Sequence, residues 1–153
     1  MATTQDGRLL KLFTPLQYDF LLVDRLRCTE GLSQLFRVEL EIIHDDDSEG
    51  YTATKVDPHD VIGKPMVVSI KQKDYAERYF NGICARFTAG SRDGRYSTYH
   101  AVIVPKVWVL TQSAQSRIYQ NKKVEDILRD VFKAFPEIDW EIKGIDEKRN
   151  YCV

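Results

Sequence analysis

Leu35-Phe36-Arg37-Val38-Glu39-Leu40-Glu41-Ile42-Ile43 alternates apolar with charged side chains along its whole length. Side chains on a strand point to opposite faces with a period of two, so this stretch lays Phe36, Val38, Leu40 and Ile42 on one face. Arg37, Glu39 and Glu41 fall on the other. Such a strand belongs to a sheet with one side in a core and one side in water. On the N-terminal side, residues 20–28 read as an earlier strand, and Thr29-Glu30-Gly31 as the turn between the two. On the C-terminal side, Asp45-Asp46-Asp47-Ser48-Glu49-Gly50 reads as a loop. Like charges this close repel one another and stay solvated. A calcium loop would need a glycine and a terminal glutamate that this run lacks.

Further along, Val61-Ile62-Gly63-Lys64-Pro65 leads into the β-branched run Met66-Val67-Val68-Ser69-Ile70. Pro65 has no amide proton, so it fits the start of a strand or an edge. Lys73-Asp74-Tyr75-Ala76 connects this strand to a second one at residues 78–89, which makes a hairpin. Residues 90–94 make the next turn. Residues 95–110 then read as one long strand, apolar on both faces. Tyr96, Val102 and Val104 lie on one side, and Tyr99, Ala101 and Ile103 on the other. A strand apolar on both sides is covered on both, by a barrel interior and by a neighbour.

The period then changes. Val124, Ile127, Leu128, Val131, Phe132 and Phe135 recur at helical spacing and form one apolar stripe. Glu125 and Asp126 suit the first turn of a helix, Asn121 is positioned to cap it, and Pro136 stops it. Residues 140–142 read as a short strand, and Asn150-Tyr151-Cys152-Val153 has the composition of the start of another. The chain therefore reads as mainly β. The expected architecture is a partly open barrel with one packed amphipathic helix near residues 122–135, forming a single domain over residues 1–153. A strand beginning at the last residues marks that domain as the N-terminal part of a longer protein.

Composition narrows the function. The chain has 153 residues, 43% of them hydrophobic and 29% charged, which is ordinary globular usage. Its 22 basic and 23 acidic residues leave a formal net charge of −1, where a nucleic-acid binder gathers a basic excess. No apolar run approaches the roughly 18 residues that span a bilayer. The N-terminal residues carry Asp6, Arg8 and Lys11 in place of a signal core. Cys28, Cys84 and Cys152 have neither metal-site nor redox-motif spacing, so they read as buried or half-buried thiols. His44 precedes the acidic run and reads as exposed. His59 sits in a turn, and His100 sits mid-strand. None has a second ligand at metal spacing, and neither a nucleophile elbow nor a phosphate loop occurs. No catalytic residue, metal ligand or cofactor site is assigned, and the chain reads as a binding or assembly module, not an enzyme.

Several local patterns, in one order along nearly the whole chain, resemble the N-terminal hub region of VgrG proteins, the spike components of type VI secretion. That region is similar in turn to contractile-phage tail hubs. The resemblance rests on Glu30-Gly31-Leu32-Ser33-Gln34-Leu35-Phe36, Val61-Ile62-Gly63-Lys64 and Arg78-Tyr79-Phe80-Asn81-Gly82-Ile83. It continues through residues 99–110 with Pro105 and Trp108, then Arg117-Ile118-Tyr119-Gln120, Val124-Glu125-Asp126-Ile127-Leu128 and Tyr151-Cys152-Val153. Two positions depart from the family pattern. Lys123 stands where a Ser or Thr helix cap is usual, and Cys84 stands where valine is usual.

The resemblance implies a phage-tail-hub barrel whose copies form a homotrimeric ring on a tube of Hcp-like protein, among baseplate proteins. It also implies assembly in the cytoplasm and export by the type VI machinery. Phe36, Gly63, Gly82, Pro105, Trp108, Arg117 and Gln120 become the candidate structural or interface residues. Gly82 is expected at a bulge or close backbone approach and Trp108 as a core anchor. Arg117 and Gln120 are expected to share a face of one helical turn. A phage or prophage tail hub, a small-molecule-binding barrel and a hub-type hydrolase remain alternative readings.

Overall fold

A strand that hides only one face must find other strands to complete the cover, and residues 1–105 do this with one antiparallel sheet. The computed structural model describes residues 3–47, 56–73, 75–136, 138–143 and 147–153. The chain divides into two compact units, Met1–Pro105 and Lys106–Val153. The first unit contains β1 (Leu10–Phe13), β2 (Leu22–Thr29), β3 (Arg37–Asp45), β4 (Pro65–Ile70), β5 (Arg78–Asp93) and β6 (Tyr96–Val104). Their spatial order is β1-β4-β5-β6-β3-β2. The sheet is barrel-like and nearly closed, because its two outer strands, β1 and β2, come back against each other.

The alternation in β3 is realised as read. Val38, Leu40 and Ile42 are buried in the core, while Arg37, Glu39 and Glu41 face outward. On β6, Tyr99, Ala101 and Ile103 join the same core, where the Phe87 and Tyr99 rings stack 5.2 Å apart. Val102 and Val104 lie on the opposite face and are nevertheless buried, whereas His100 on that same face is exposed, so the second side is covered only toward the end of the strand. Register shifts in β2 (between Val23 and Arg25) and in β5 (between Cys84 and Arg86, and between Ala89 and Arg92) bend the strands and let the sheet curl.

Closure leaves main-chain groups of the outer strands without a ladder partner. The N-terminal segment supplies them. Gln5 is 1% exposed; its Oε1 accepts the Leu12 amide proton at 2.6 Å and its Nε2 donates to the Leu12 carbonyl at 3.1 Å. One side-chain amide thus imitates a strand neighbour for β1. Arg8 donates from Nη1 to the Val23 carbonyl of β2 at 3.2 Å.

Several expectations need correction. The acidic run does not stay solvated: Asp45 and Asp46 have side chains only 4% and 6% exposed. Asp45 receives the Arg95 guanidinium on both oxygens, the Thr3 hydroxyl at 2.6 Å and the Asp47 amide at 3.2 Å. Asp46 binds Arg92 at 2.8 Å and the Ser97 hydroxyl at 2.9 Å. The arginines of the β5–β6 hairpin neutralise the run, which sequence spacing alone does not reveal. Residues 48–50 lie outside the described residues. His44 is also buried, not exposed. Its ring packs 4.3 Å from that of Phe20, and its Nδ1 donates to the Phe20 carbonyl at 2.8 Å.

The turn expected at 90–94 is tighter and later. β5 runs to Asp93, its second bulge absorbs the Gly90 region, and Gly94 turns the chain at φ 54°. β6 ends at Val104 instead of continuing to residue 110. Pro105 removes the next ladder donor, and Lys106–Gln112 coils into a 3-10 helix.

In the second unit, β7 (Tyr119–Lys123) pairs with β8 (Lys148–Cys152), and α1 (Val124–Phe132) lies between them in the chain. The helix is shorter than its apolar stripe, and its residues are at most half-buried. Asn121 does not cap it: it lies in β7 at φ 52°, and Lys123 occupies the cap position without a side-chain cap bond. The strand expected at 140–142 is not formed. Trp140 instead stacks on Phe132 at 5.5 Å, so its burial is gained against the helix and not in a ladder.

Gly82, on β5, is the most closely approached of the described glycines. A Cβ there would lie 2.2 Å from the Val104 carbonyl oxygen and 2.8 Å from Ile103 Cγ2. The obstacle is backbone and cannot swing away. Gly82→Ala is therefore expected to cost about 2–3 kcal/mol, read in a thermal melt as a loss of roughly 4–12 °C.

Asp45 supports a second test. Its carboxyl is held far below the usual carboxylate range, chiefly by the Arg95 hydrogen bonds and against the opposing effect of burial, with Thr3 and Asp47 adding to the lowering. A native pKa below the unfolded value of about 3.9 means that the unfolded chain binds the proton first. The stabilisation is thus complete above that value and is lost as pH falls below it. Melts from pH 6 down to about pH 2 should show this loss, and Asp45→Asn should flatten that part of the profile while lowering stability at neutral pH.

Candidate assembly surface

Glu30-Gly31-Leu32-Ser33-Gln34-Leu35-Phe36 joins β2 to β3. The Gln34 amide bonds the Gly31 carbonyl at 3.3 Å, and Ser33 adopts φ 57°. This tight reversal pushes Leu32 outward until it is 97% exposed, with Leu35 at 42%. Phe36 turns inward, half-buried on the core, its ring edge-on to Phe80 at 5.7 Å. The loop is tethered by Glu30, whose oxygens take Arg78 Nη2 of β5 at 2.5 and 2.6 Å. The Arg78 guanidinium also lies 4.7 Å over the Phe80 ring. A fully exposed leucine is thus held on a braced turn, not on a loose one.

The start of β5 is similarly organised. Ser69, wholly buried on β4, donates its hydroxyl to Glu77 at 2.6 Å, and the Tyr79 hydroxyl donates to the other carboxylate oxygen at 2.8 Å. These bonds hold the Glu77 carboxyl below the usual range, Ser69 being the larger cause, and they raise the Tyr79 phenol. Tyr75 and Tyr79, on either side of Arg78 in the chain, are exposed. Cys28 lies near the same ion pair. Burial lifts its thiol, with Glu30 adding and Arg78 opposing. Cys84 is more deeply buried and is pushed up to about 11, so little of it is thiolate at neutral pH.

The other candidate residues lie on other elements of the two units. Gly63 turns the chain at φ 76°, and its amide bonds the Cys84 carbonyl at 2.8 Å, which extends the β4–β5 pairing. Pro105 follows β6. In the second unit, Trp108 is half-buried in the 3-10 helix, and its carbonyl accepts the Thr111 hydroxyl at 2.7 Å. Arg117 and Gln120 do not share a helical turn, because β7 begins at Tyr119. Arg117 instead bonds Gln115 Oε1 at 2.6 Å and reaches Asp130 Oδ2 at 3.3 Å. Tyr119 donates to the same Asp130 oxygen at 2.8 Å and is the main cause of the lowered Asp130 carboxyl. Gln120 is exposed opposite Tyr151. Phe36 thus belongs to the β2–β3 loop, Gly63 and Gly82 to the β4–β5 pairing, and Trp108, Arg117 and Gln120 to the second unit. Leu32 was the feature not singled out, although a leucine inside a glycine-containing turn between two strands was its signal.

Near-closure and a core drawn from every strand of the sheet define a barrel-like β domain that exposes an apolar loop. The model of the phage tail baseplate hub (GPD) family matches residues 29–153, and the chain belongs to that family. It is 32% identical to the type VI secretion system spike protein VgrG1c of Pseudomonas aeruginosa (strain PAO1) across 100% of the chain and 20% of that protein. It is 30% identical to VgrG1b and 31% identical to VgrG1a of the same strain. The chain thus spans about one fifth of the length of these relatives. Among solved structures it is similar to the E. coli c3393 protein, with a TM-score of 0.61 and 20% identity over 86% of this chain and 38% of that one. That protein is described as a component of the type VI secretion system with structural similarity to the bacteriophage T4 tail proteins gp27 and gp5.

Because Leu32 touches solvent almost everywhere, Leu32→Ser should leave the melting temperature of the isolated chain within the scatter of surface substitutions, about 0.5 kcal/mol. A large drop in a calorimetric scan would show that the side chain supports the fold instead of waiting for a partner.

Proposed function

We propose that this chain is the hub segment of a type VI secretion spike, a structural and non-catalytic element of a longer protein. In this reading its residues act as one hub-type domain, associate as a homotrimer, and seat the spike on an Hcp-like tube among baseplate proteins. Assembly takes place in the cytoplasm, and export goes through the secretion machinery. The observation that carries the reading is the similarity along the whole of this chain, about 30% identical, to one fifth of the length of spike proteins, on a sheet whose interior positions are filled by its own side chains. The filled interior weighs against a ligand-holding barrel. The family's description as a phage baseplate hub favours one second reading, a phage or prophage tail hub with the same structural role.

The exposed loop supplies a contact for assembly. Burying one leucine is worth about 1.5–3 kcal/mol, or roughly one to two powers of ten in affinity. Size-exclusion chromatography with light scattering, on the chain alone and mixed with an Hcp-type tube protein, tests the proposal. The expected result is mass above the monomer or co-elution with the tube, weakened at least about tenfold by Leu32→Asp. A chain that stays monomeric and leaves the tube's elution unchanged at high concentration would overturn it.

A further inference from the structure

We propose that the outer face of β2, β3, β6 and β5 is a docking trough for an extended acidic segment of a partner protein. The register places two rows of side chains across these four strands. One row runs Arg27, Glu39, Val102, Arg86, and the next runs Arg25, Glu41, His100, Thr88. These residues line an open trough of about 460 Å³, together with Arg37 at one end of β3. Val102 forms an apolar floor, only 8% exposed although it points away from the core.

The charges in the trough do not balance. Glu39 is held by Arg37 at 2.9 Å, and Glu41 lies 3.8 Å from Arg25. Neither Arg27 nor Arg86 comes within ion-pair distance of a carboxylate among the described residues, although Arg27 stands across from Glu39 and adds to the lowering of its carboxyl, behind Arg37; both arginines are exposed. Two positive charges thus remain on a chain whose net charge is −1. An arginine fork matches a carboxylate in a bidentate way. Arg27 and Arg86 stand three strand spacings apart, about 14 Å, and an extended peptide rises about 3.4 Å per residue. Two acidic side chains about four residues apart would therefore reach both arginines, with an apolar residue between them over Val102.

A nucleic acid fits less well. Glu39 and Glu41 occupy the middle of the trough and would repel a continuous phosphate backbone, whereas a peptide can place its charges at the two sides only. The trough is lined by strand residues and does not include the β2–β3 loop.

The test uses the whole chain and a short fluorescein-labelled peptide with two glutamates four residues apart and valine between them, followed by anisotropy at low salt. Saturable binding is expected that weakens with added salt, is lost when the glutamates are replaced by glutamine, and falls about tenfold in the Arg27→Glu/Arg86→Glu double variant. Both arginines are exposed, so the variant should keep the wild-type circular dichroism, with at most a small drop in melting temperature because Arg27→Glu faces Glu39, and a folded variant that binds as before overturns the proposal. Equal binding of the glutamine peptide, or of a single-stranded oligodeoxynucleotide, also overturns it. So does self-association of the wild-type chain that the double variant abolishes, because the occupant would then be a second copy.

Discussion

A sheet curled until its outer strands meet must still satisfy the main-chain groups along the seam, and this requirement governs the first unit. β1 is only four residues long and cannot ladder along the eight residues of β2. The N-terminal segment resolves this with side chains. Gln5 closes both hydrogen bonds of Leu12, Arg8 reaches Val23, and the Asp19 carboxylate receives the Gln5 amide at 2.8 Å and the Thr4 hydroxyl at 2.8 Å. A buried amide left without these partners would cost on the order of 1–3 kcal/mol. Residues that look like a polar leader are therefore part of the barrel wall.

The far end of β3 shows the same economy. Asp45 and Asp46 sit where the β5–β6 hairpin folds over, and Arg92 and Arg95 meet them there. Burying a carboxylate is tolerable only when the charge is matched and its lone pairs are filled; here a hydroxyl and a backbone amide complete the set. Gly82 contributes by absence, since the β6 backbone can approach only where no Cβ stands. These three devices hold one curvature, and that curvature presents the β2–β3 loop on one side of the sheet and the charged rows on its outer face.

Much of this was legible from residue order. The β3 alternation, the β4–β5 hairpin, the core-facing side of β6 and the helical stripe of α1 follow from local periodicity, because burial on one face repeats with the period of the backbone. The failures share a cause. The extension of β6 past Pro105, the strand at 140–142 and the solvated acidic loop were all read from neighbours in sequence, whereas each outcome was set by a group elsewhere in the chain or by a missing donor. β7 went unread for the opposite reason: Tyr119-Gln120-Asn121-Lys122-Lys123 has no alternation, and it is a strand only because β8 pairs with it.

The sequence by itself determined the strand-rich class, the helix position and the hub resemblance, since apolar periodicity and short ordered motifs are properties of neighbouring residues. Only the tertiary structure decided that His44, Asp45 and Asp46 are buried, that Gln5 seals a seam, and that Arg27 and Arg86 face outward at the two sides of one trough. Each of these depends on which distant group arrives within hydrogen-bond or ion-pair range. That distance is set by how far the sheet curls, and no local pattern encodes it.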